Sequence, residues 1–413
     1  MRGAPGGAAV AVVGAGVKTP GGLTVDDLWA TLCAARSTAR PHEEPRLPPD
    51  ARLLVSRVEG FDPADYLSPP ERRRLDRTHQ LAIAAAQDAI TMYGAPLPPC
   101  DRCAVVCGVG MGGAFIQEEQ YGRLFQLGYR GLSPLGIPMT MPNATAALLS
   151  LRFCFTGPCV TVSSACASGA SAVAEGVELL RRGAADLVLA GGSDSLLTFS
   201  ALAGFLRLDV MSRQTACPEL ASRPFDAERD GFVMAEGAGF VVLRRAGQAA
   251  DGQSVLGFVC GHASSADAYH LVAPSVDGSG ALSCMRGALA DAGITAADLT
   301  HVNAHATSTM AGDLSEAKAL TALLGDHRRP VTSNKGTTGH MIGGSGAVEA
   351  IVTLRSLAAR MVPPVAGLRQ LDPCIDLDVV RDEPRAIAAG FALSNSFGFG
   401  GMNTALVLRH AGE

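Results

Sequence analysis

Three residues in this sequence carry side chains able to do covalent or acid–base chemistry in settings that would aim them: Cys166, His305 and His340. Cys166 lies in Val160-Thr161-Val162-Ser163-Ser164-Ala165-Cys166-Ala167-Ser168-Gly169-Ala170, where an apolar strand-like run passes into a small-residue helix-like run. A thiol at a helix N-terminus faces unpaired amides, whose partial positive charge lowers its pKa and favours the thiolate. The same N–H groups can hold an oxyanion. Taken alone, the stretch equally fits a buried packing cysteine. His305 follows the run His301 to Ala304, and His340 closes Asn334-Lys335-Gly336-Thr337-Thr338-Gly339-His340. Either imidazole alone fits a core or capping role. Two imidazoles at strand ends and a cysteine at a strand-to-helix turn can converge on one pocket, because ligands bind at the carboxyl ends of strands in α/β sheets.

Positioning these groups requires strands and helices in alternation. Buried-strand signatures occur at Ala8 to Val13, Cys103 to Cys107, Leu187 to Ala190 and Phe240 to Leu243. A second series runs through Val255 to Cys260, His301 to Ala304 and Val331 to Ser333, then a helix at Ala347 to Ala359 and a final strand at Ala405 to Leu408. The alternation predicts parallel strands flanked by helices. It also predicts two similar α/β halves joined near 245–254, divided as 1–250 with the cysteine and 251–413 with both histidines. Loops at 211–222 and 262–280 are the expected mobile segments.

Composition narrows the function. The 413 residues are 47% apolar, 18% charged and 5% aromatic, so the core must rest on Ala, Val, Leu and close glycine contacts. A formal charge of -5 argues against nonspecific nucleic-acid binding, which needs a basic face. Eleven cysteines scattered over a long chain without a signal-peptide pattern read as reduced, intracellular thiols. No apolar run reaches the ~18 residues of a membrane span. The expectation is a cytoplasmic enzyme without nucleic-acid or membrane partners.

Other motifs are weaker. Gly108-Val109-Gly110-Met111-Gly112-Gly113 satisfies a dinucleotide fingerprint formally, yet no acidic residue stands ~20 residues on. Gly14-Ala15-Gly16 lacks the third glycine, which is Thr19. Cys100, Cys103 and Cys107 have partly metal-like spacing but no second Cys/His pair, so packing is expected and no metal site. Neither Gly192-Ser193-Asp194 nor Gly344-Ser345-Gly346 completes a serine-hydrolase elbow.

With Ser222-Arg223-Pro224-Phe225-Asp226, Asp230-Gly231-Phe232, Glu236-Gly237-Ala238-Gly239, Asp267-Ala268-Tyr269-His270 and Asn395-Ser396-Phe397-Gly398-Phe399-Gly400-Gly401-Met402-Asn403, these segments resemble, nearly end to end, the decarboxylating beta-ketoacyl synthases. The likeness is strongest to the beta-ketoacyl-acyl carrier protein synthase II type and type II polyketide ketosynthases. The resemblance implies a thiolase fold, two pseudo-repeated halves in αβαβα layers, with Cys166, His305, His340 and Lys335 as catalytic residues. It implies that Lys335 works with Glu349, that the backbone N–H groups of Cys166 and Phe399 form an oxyanion hole, and that Phe399 is a gate beside the Asp267–His270 loop. Thr307 and Thr309 would hold a phosphopantetheine arm. Arg72, Arg73 and Arg74 would meet an acidic acyl carrier protein, although a charge run also fits a solvated helix face. No bound cofactor is implied.

The implied reaction is decarboxylative condensation of an acyl-enzyme with malonyl-acyl carrier protein, extending the chain by two carbons in a type II polyketide or specialised fatty-acid pathway. A homodimer, or a heterodimer with a chain-length-factor relative, is expected. A non-elongating acyltransferase and a non-catalytic partner subunit are the alternatives. A thiolase would have a second cysteine in the Gly398-Phe399-Gly400-Gly401 loop, and chalcone-synthase-like enzymes an asparagine for one histidine. Ala306, Met310 and Gly336 depart from the family's Gly, Pro and Ser, and point to altered substrate shape.

Overall fold

The computed structural model describes residues 8–48, 51–248 and 254–412. Residues 249–253 of the expected join at 245–254 therefore fall outside the described residues. Among those described, thirteen strands form one mixed sheet. Eleven of them make its main path: β1 (Val10–Lys18), β2 (Cys103–Gly108), β3 (Cys159–Val162), β4 (Leu187–Ser195), β5 (Met234–Arg245), β6 (Gly257–Ala266), β7 (Leu299–Asn303), β8 (Pro330–Thr332), β9 (Asp378–Val379), β10 (Phe391–Gly398) and β11 (Met402–His410). Their order is β9-β8-β7-β10-β11-β6-β1-β5-β4-β2-β3.

The expectation of purely parallel strands is corrected by the pairing. From the centre outward, β1/β5 and β5/β4 are antiparallel, then β4/β2 and β2/β3 are parallel. In the second half, β6/β11 and β11/β10 are antiparallel, then β10/β7 and β7/β8 are parallel. The two halves repeat the same sequence of directions and meet at the antiparallel pair β1/β6. Antiparallel strands read as buried runs here because helices cover both faces, which erases the alternation that usually distinguishes them.

Six helices matter for the site: α1 (Arg77–Tyr93), α2 (Ala114–Leu127), α3 (Ser168–Arg181), α4 (Ser279–Ala292), α5 (Met310–Leu324) and α6 (Ser345–Ala359). Helices α3 and α6 share one core with strands of both halves, including Val177, Val188, Val348 and Leu406. Helix α1 covers the outer face of the first half, and α4 and α5 that of the second. The order of layers is therefore αβαβα.

Glycines set the closeness of this packing. A Cβ at Gly14 or Gly16 would stand 2.3 or 2.1 Å from the carbonyls of Ala89 and Ala85, so β1 lies flush on α1. A Cβ at Gly108 would meet the Ser168 carbonyl at 2.2 Å. Gly14, Gly16 and Gly108 are therefore close helix–strand contacts. Cys103 and Cys107 are buried in β2, where packing was expected, and Cys100 is exposed. The loop expected at 262–280 begins as strand, since β6 continues to Ala266.

Candidate active site

Cys166 sits in the 3-10 turn Ala165–Ala167 between β3 and α3. Ala165 has φ 50, a left-handed conformation uncommon for a residue with a side chain, and it marks a sharp, over-determined turn. Ser168 fixes that turn: its Oγ accepts from Ser164 N–H at 2.9 Å and donates to the Ala165 carbonyl at 2.6 Å. The thiol is 7% exposed. Burial pushes it up to about 12, against the opposing pull of the Lys335 charge and of the backbone N–H groups of Phe399 and Cys166. The expected lowering at a helix N-terminus is thus overturned, because losing water outweighs the local dipoles. The backbone N–H groups of Cys166 and Phe399 both stand beside the thiol, close to where the carbonyl oxygen of a bound thioester would develop charge.

His305 leaves the end of β7, and its loop is pinned by Glu316 on α5. That carboxylate accepts the N–H of His305 at 2.9 Å and of Ala306 at 2.7 Å, while Asn395 Nδ2 donates to it at 3.0 Å. His340 is held by β5, donating its N–H to Val233 O at 2.8 Å and accepting Ala235 N–H at 3.0 Å. Its Nδ1 lies 3.2 Å from Ser345 Oγ, which itself accepts Met341 N–H. The His340 Nε2 has no hydrogen-bond partner within the protein, and it carries the ring proton in the tautomer whose Nδ1 accepts from the serine hydroxyl. The two imidazoles meet edge to face at 5.5 Å, and Phe232 closes the far side of His340 at 5.4 Å. Burial and the Lys335 charge hold both well below the ordinary imidazole value, so both are neutral at pH 7.

The ligating atoms of Cys166, His305 and His340 lie within 4.8 Å of one another. Below them Lys335 pairs with Glu349, both side chains almost fully buried. Burial raises Glu349 to about 7, and Lys335 opposes the shift. A cavity of about 240 Å³ reaches the triad from the surface. Thr307 and Thr309, their hydroxyl oxygens 3.0 Å apart, line it with Asp267 and Phe399. The Phe399 ring stacks on Phe205 at 6.3 Å, and Gly400 N–H donates to Leu271 O, which ties the aromatic turn to the neighbouring loop.

Two groups of expected residues lie on the surface, outside the cavity. His270 is exposed and does not line the cavity; its Nδ1 accepts the N–H groups of Val272 and Ala273, which shapes the loop. Arg72, Arg73 and Arg74 end the short helix Pro69–Arg74, exposed and without an ion pair among the described residues. Gly336 has a packing cause, since a Cβ there would stand 2.3 Å from Ala366 O. The sequence reasoning missed Glu316, Ser345 and Phe232. Glu316 alone left a trace: a carboxylate eleven residues beyond His305, in a helix whose first turns face that histidine's loop.

A thiol, two neutral imidazoles and paired backbone donors at the end of an apolar channel define an acyl-transferring enzyme built around a cysteine nucleophile. The chain belongs to the beta-ketoacyl synthase family: residues 8–249 match the model of the beta-ketoacyl synthase N-terminal domain, and residues 256–369 that of the C-terminal domain. It is 37% identical to the 3-oxoacyl-[acyl-carrier-protein] synthase 2 of Synechocystis sp., over 97% of each chain. A beta-ketoacyl synthase from Burkholderia phymatum superposes with TM-score 0.90 at 32% identity, covering 98% of this chain and 100% of the other. The ishigamide ketosynthase/chain length factor superposes with TM-score 0.89 at 27% identity, over 98% and 99%.

Proposed function

We propose that this protein catalyses decarboxylative condensation of an acyl group held on Cys166 with a malonyl group carried on acyl carrier protein. The observation that carries this reading is the convergence of the Cys166 sulfur and the two imidazoles within 4.8 Å. In the first half-reaction Cys166 attacks the acyl thioester on a phosphopantetheine arm held by the hydroxyls of Thr307 and Thr309. A thiol this buried does not ionise beforehand, so its proton passes to a neighbouring imidazole as the S–C bond forms. The proton then leaves with the departing pantetheine sulfur. The N–H groups of Cys166 and Phe399 hold the tetrahedral oxyanion, where a single donor contributes about 3–4 kcal/mol.

In the second half-reaction the malonyl C–carboxylate bond breaks and carbon dioxide leaves. The resulting enolate oxygen is held by hydrogen bonds from His305 and His340. Neutral imidazoles suit this role, because they donate to oxygen without protonating carbon as a stronger acid would. The enolate carbon attacks the acyl-enzyme carbonyl, the C–S bond breaks, and one solvent proton restores the Cys166 thiol. Burial first, and the Lys335 charge second, keep both imidazoles uncharged. No bound cofactor is required, since the carrier's arm delivers both substrates.

Two surfaces support partners. Arg72–Arg74 offer uncompensated positive charge on a chain of net charge -5, a local patch suited to steering an acidic carrier. The edge strand β3 is partly exposed, and Phe125, Tyr129, Ile137 and Leu151 on and after α2 expose a large apolar area. This supports pairing with a second copy or a related chain-length-factor chain. All eleven cysteines are free and no helix among the described residues is long and apolar enough to cross a membrane, which supports a reducing, cytoplasmic setting.

The reading is tested by incubating the protein with an acyl-carrier thioester, digesting it and weighing the Cys166 peptide, then adding malonyl-carrier thioester and measuring carbon dioxide release. Acyl mass on Cys166 followed by release is expected. Acylation without release would identify a non-elongating acyltransferase, and no acylation over a range of starters would overturn the reading.

A further inference from the structure

Asp194 is a fully buried carboxylate at the end of β4 with no part in the chemistry above. Its Oδ2 accepts the N–H of Gly110 at 2.7 Å and of Gly343 at 2.8 Å, and Oδ1 accepts Met111 N–H at 3.4 Å. These donors belong to two loops far apart in sequence, one following β2 and the other following His340. One side chain therefore ties them together in the interior. Burial raises the carboxyl to about 6, and the N–H groups of Gly110, Gly343 and Met111 pull against that shift.

The tie matters because of what stands beside it. Ile342, next to Gly343, has φ 48, a left-handed conformation that is an outlier for a β-branched residue and persists only where surroundings enforce it. Its side chain lines the cavity and packs in one apolar cluster with Cys166, Leu202 and Phe232. Gly110 seats directly behind it: a Cβ there would meet Ile342 Cγ2 and Asp194 Oδ2, each at 2.8 Å. His340 does not depend on the same tie, since Val233, Ala235 and Ser345 hold its backbone and ring.

We infer that Asp194 is a positioning residue that fixes Ile342 in the wall against which the acyl chain on Cys166 lies, and thereby sets which acyl groups are accepted. The inference rests on the acyl-enzyme reading above. Once the tie is cut the two loops can part and Ile342 can move off the cavity, so longer chains gain relative to shorter ones. The malonyl half-reaction, which uses His305 and His340, is left in place. Asp194→Leu removes all three acceptor contacts, whereas Asp194→Asn keeps one oxygen for Gly110 and Gly343.

The experiment measures kcat/KM for Cys166 acylation by short- to medium-chain acyl-carrier thioesters, and malonyl decarboxylation on the same preparations, for wild type, both Asp194 variants and Ile342→Ala. Asp194→Leu should shift the long-to-short ratio by about tenfold or more, the scale set by one or two methylenes in a pocket, with decarboxylation within about threefold. Asp194→Asn should fall between, and Ile342→Ala should shift the ratio the same way. Unchanged selectivity in the folded variants overturns the inference, as does an equal fall in both half-reactions, which marks a merely structural group. If Asp194→Leu does not fold, Asp194→Asn and Ile342→Ala decide the question. A wild type that never acylates Cys166 refutes the acyl-enzyme reading itself.

Discussion

The Lys335–Glu349 pair yields the sharpest energetic prediction. Both side chains are at most 2% exposed, so neither charge has water to fall back on. Removing one partner of such a pair costs about 3–5 kcal/mol, because the other is left buried and alone. Lys335→Met and Glu349→Leu should each destabilise by this amount. The double variant leaves no stranded charge and should lose less than the sum of the two, by a coupling of about 2–3 kcal/mol or more.

Protonation gives the single variant a further signature. Burial raises Glu349 and the Lys335 charge lowers it, so Lys335→Met drives it higher still. The folded state then holds a proton that the unfolded chain releases near pH ~4.3. Stability of Lys335→Met must therefore fall as pH rises from that point toward the folded value, by up to about 1.4 kcal/mol per unit. Urea unfolding followed by far-UV circular dichroism at fixed protein concentration, at pH 6 and 8, measures both effects. Additivity within about 0.5 kcal/mol, or a Lys335→Met variant more stable at pH 8, would refute the reasoning.

Further expectations follow from single contacts. Because burial pushes the Cys166 thiol up to about 12, its alkylation by iodoacetamide should keep accelerating above pH 9; a plateau below pH 7 would show a thiolate already formed. Gly336→Ser places a Cβ 2.3 Å from the Ala366 carbonyl and should lower the unfolding midpoint, by about 1–3 kcal/mol of stability; an unchanged midpoint would mean that the backbone shifts freely. Replacing Arg72, Arg73 and Arg74 with Glu should raise KM for acyl-carrier substrate by about tenfold or more at low salt and leave reaction with a small thioester unchanged, since steering is electrostatic and screened. Equal loss on both substrates would contradict a docking role.

Much of the site was legible because its residues sit at elements with strong local signals. The turn at Cys166 is announced by Val160–Val162 running into Ser168–Ala174, and both histidines follow apolar strands. What decided their chemistry was not local. The thiol's proton affinity is raised by burial, in an apolar cluster that brings Phe232 and Ile342 to it from distant segments, and this reverses the shift expected from a helix end alone. Glu316 was hidden because a carboxylate on a helix ordinarily faces water, and here it turns back to the His305 loop. Strand direction was hidden for a related reason: helices on both faces bury continuous apolar runs such as Phe240–Leu243 in β5 and Ala405–Leu408 in β11, so parallel and antiparallel strands look alike. His270 stands in the loop beside Phe399, as its motif places it, with its ring turned outward so that Nδ1 accepts the N–H groups of Val272 and Ala273.

The central claim is tested most directly by the intact mass of carrier protein after this chain is incubated with a medium-chain acyl-carrier thioester and malonyl-carrier thioester, beside a Cys166→Ser control. The account predicts a carrier bearing a beta-ketoacyl group two carbons longer than the starter, absent from the control. Formation of that species by Cys166→Ser at the wild-type rate, or its absence while wild-type Cys166 is fully acylated and the expected partner chain is supplied, would contradict it.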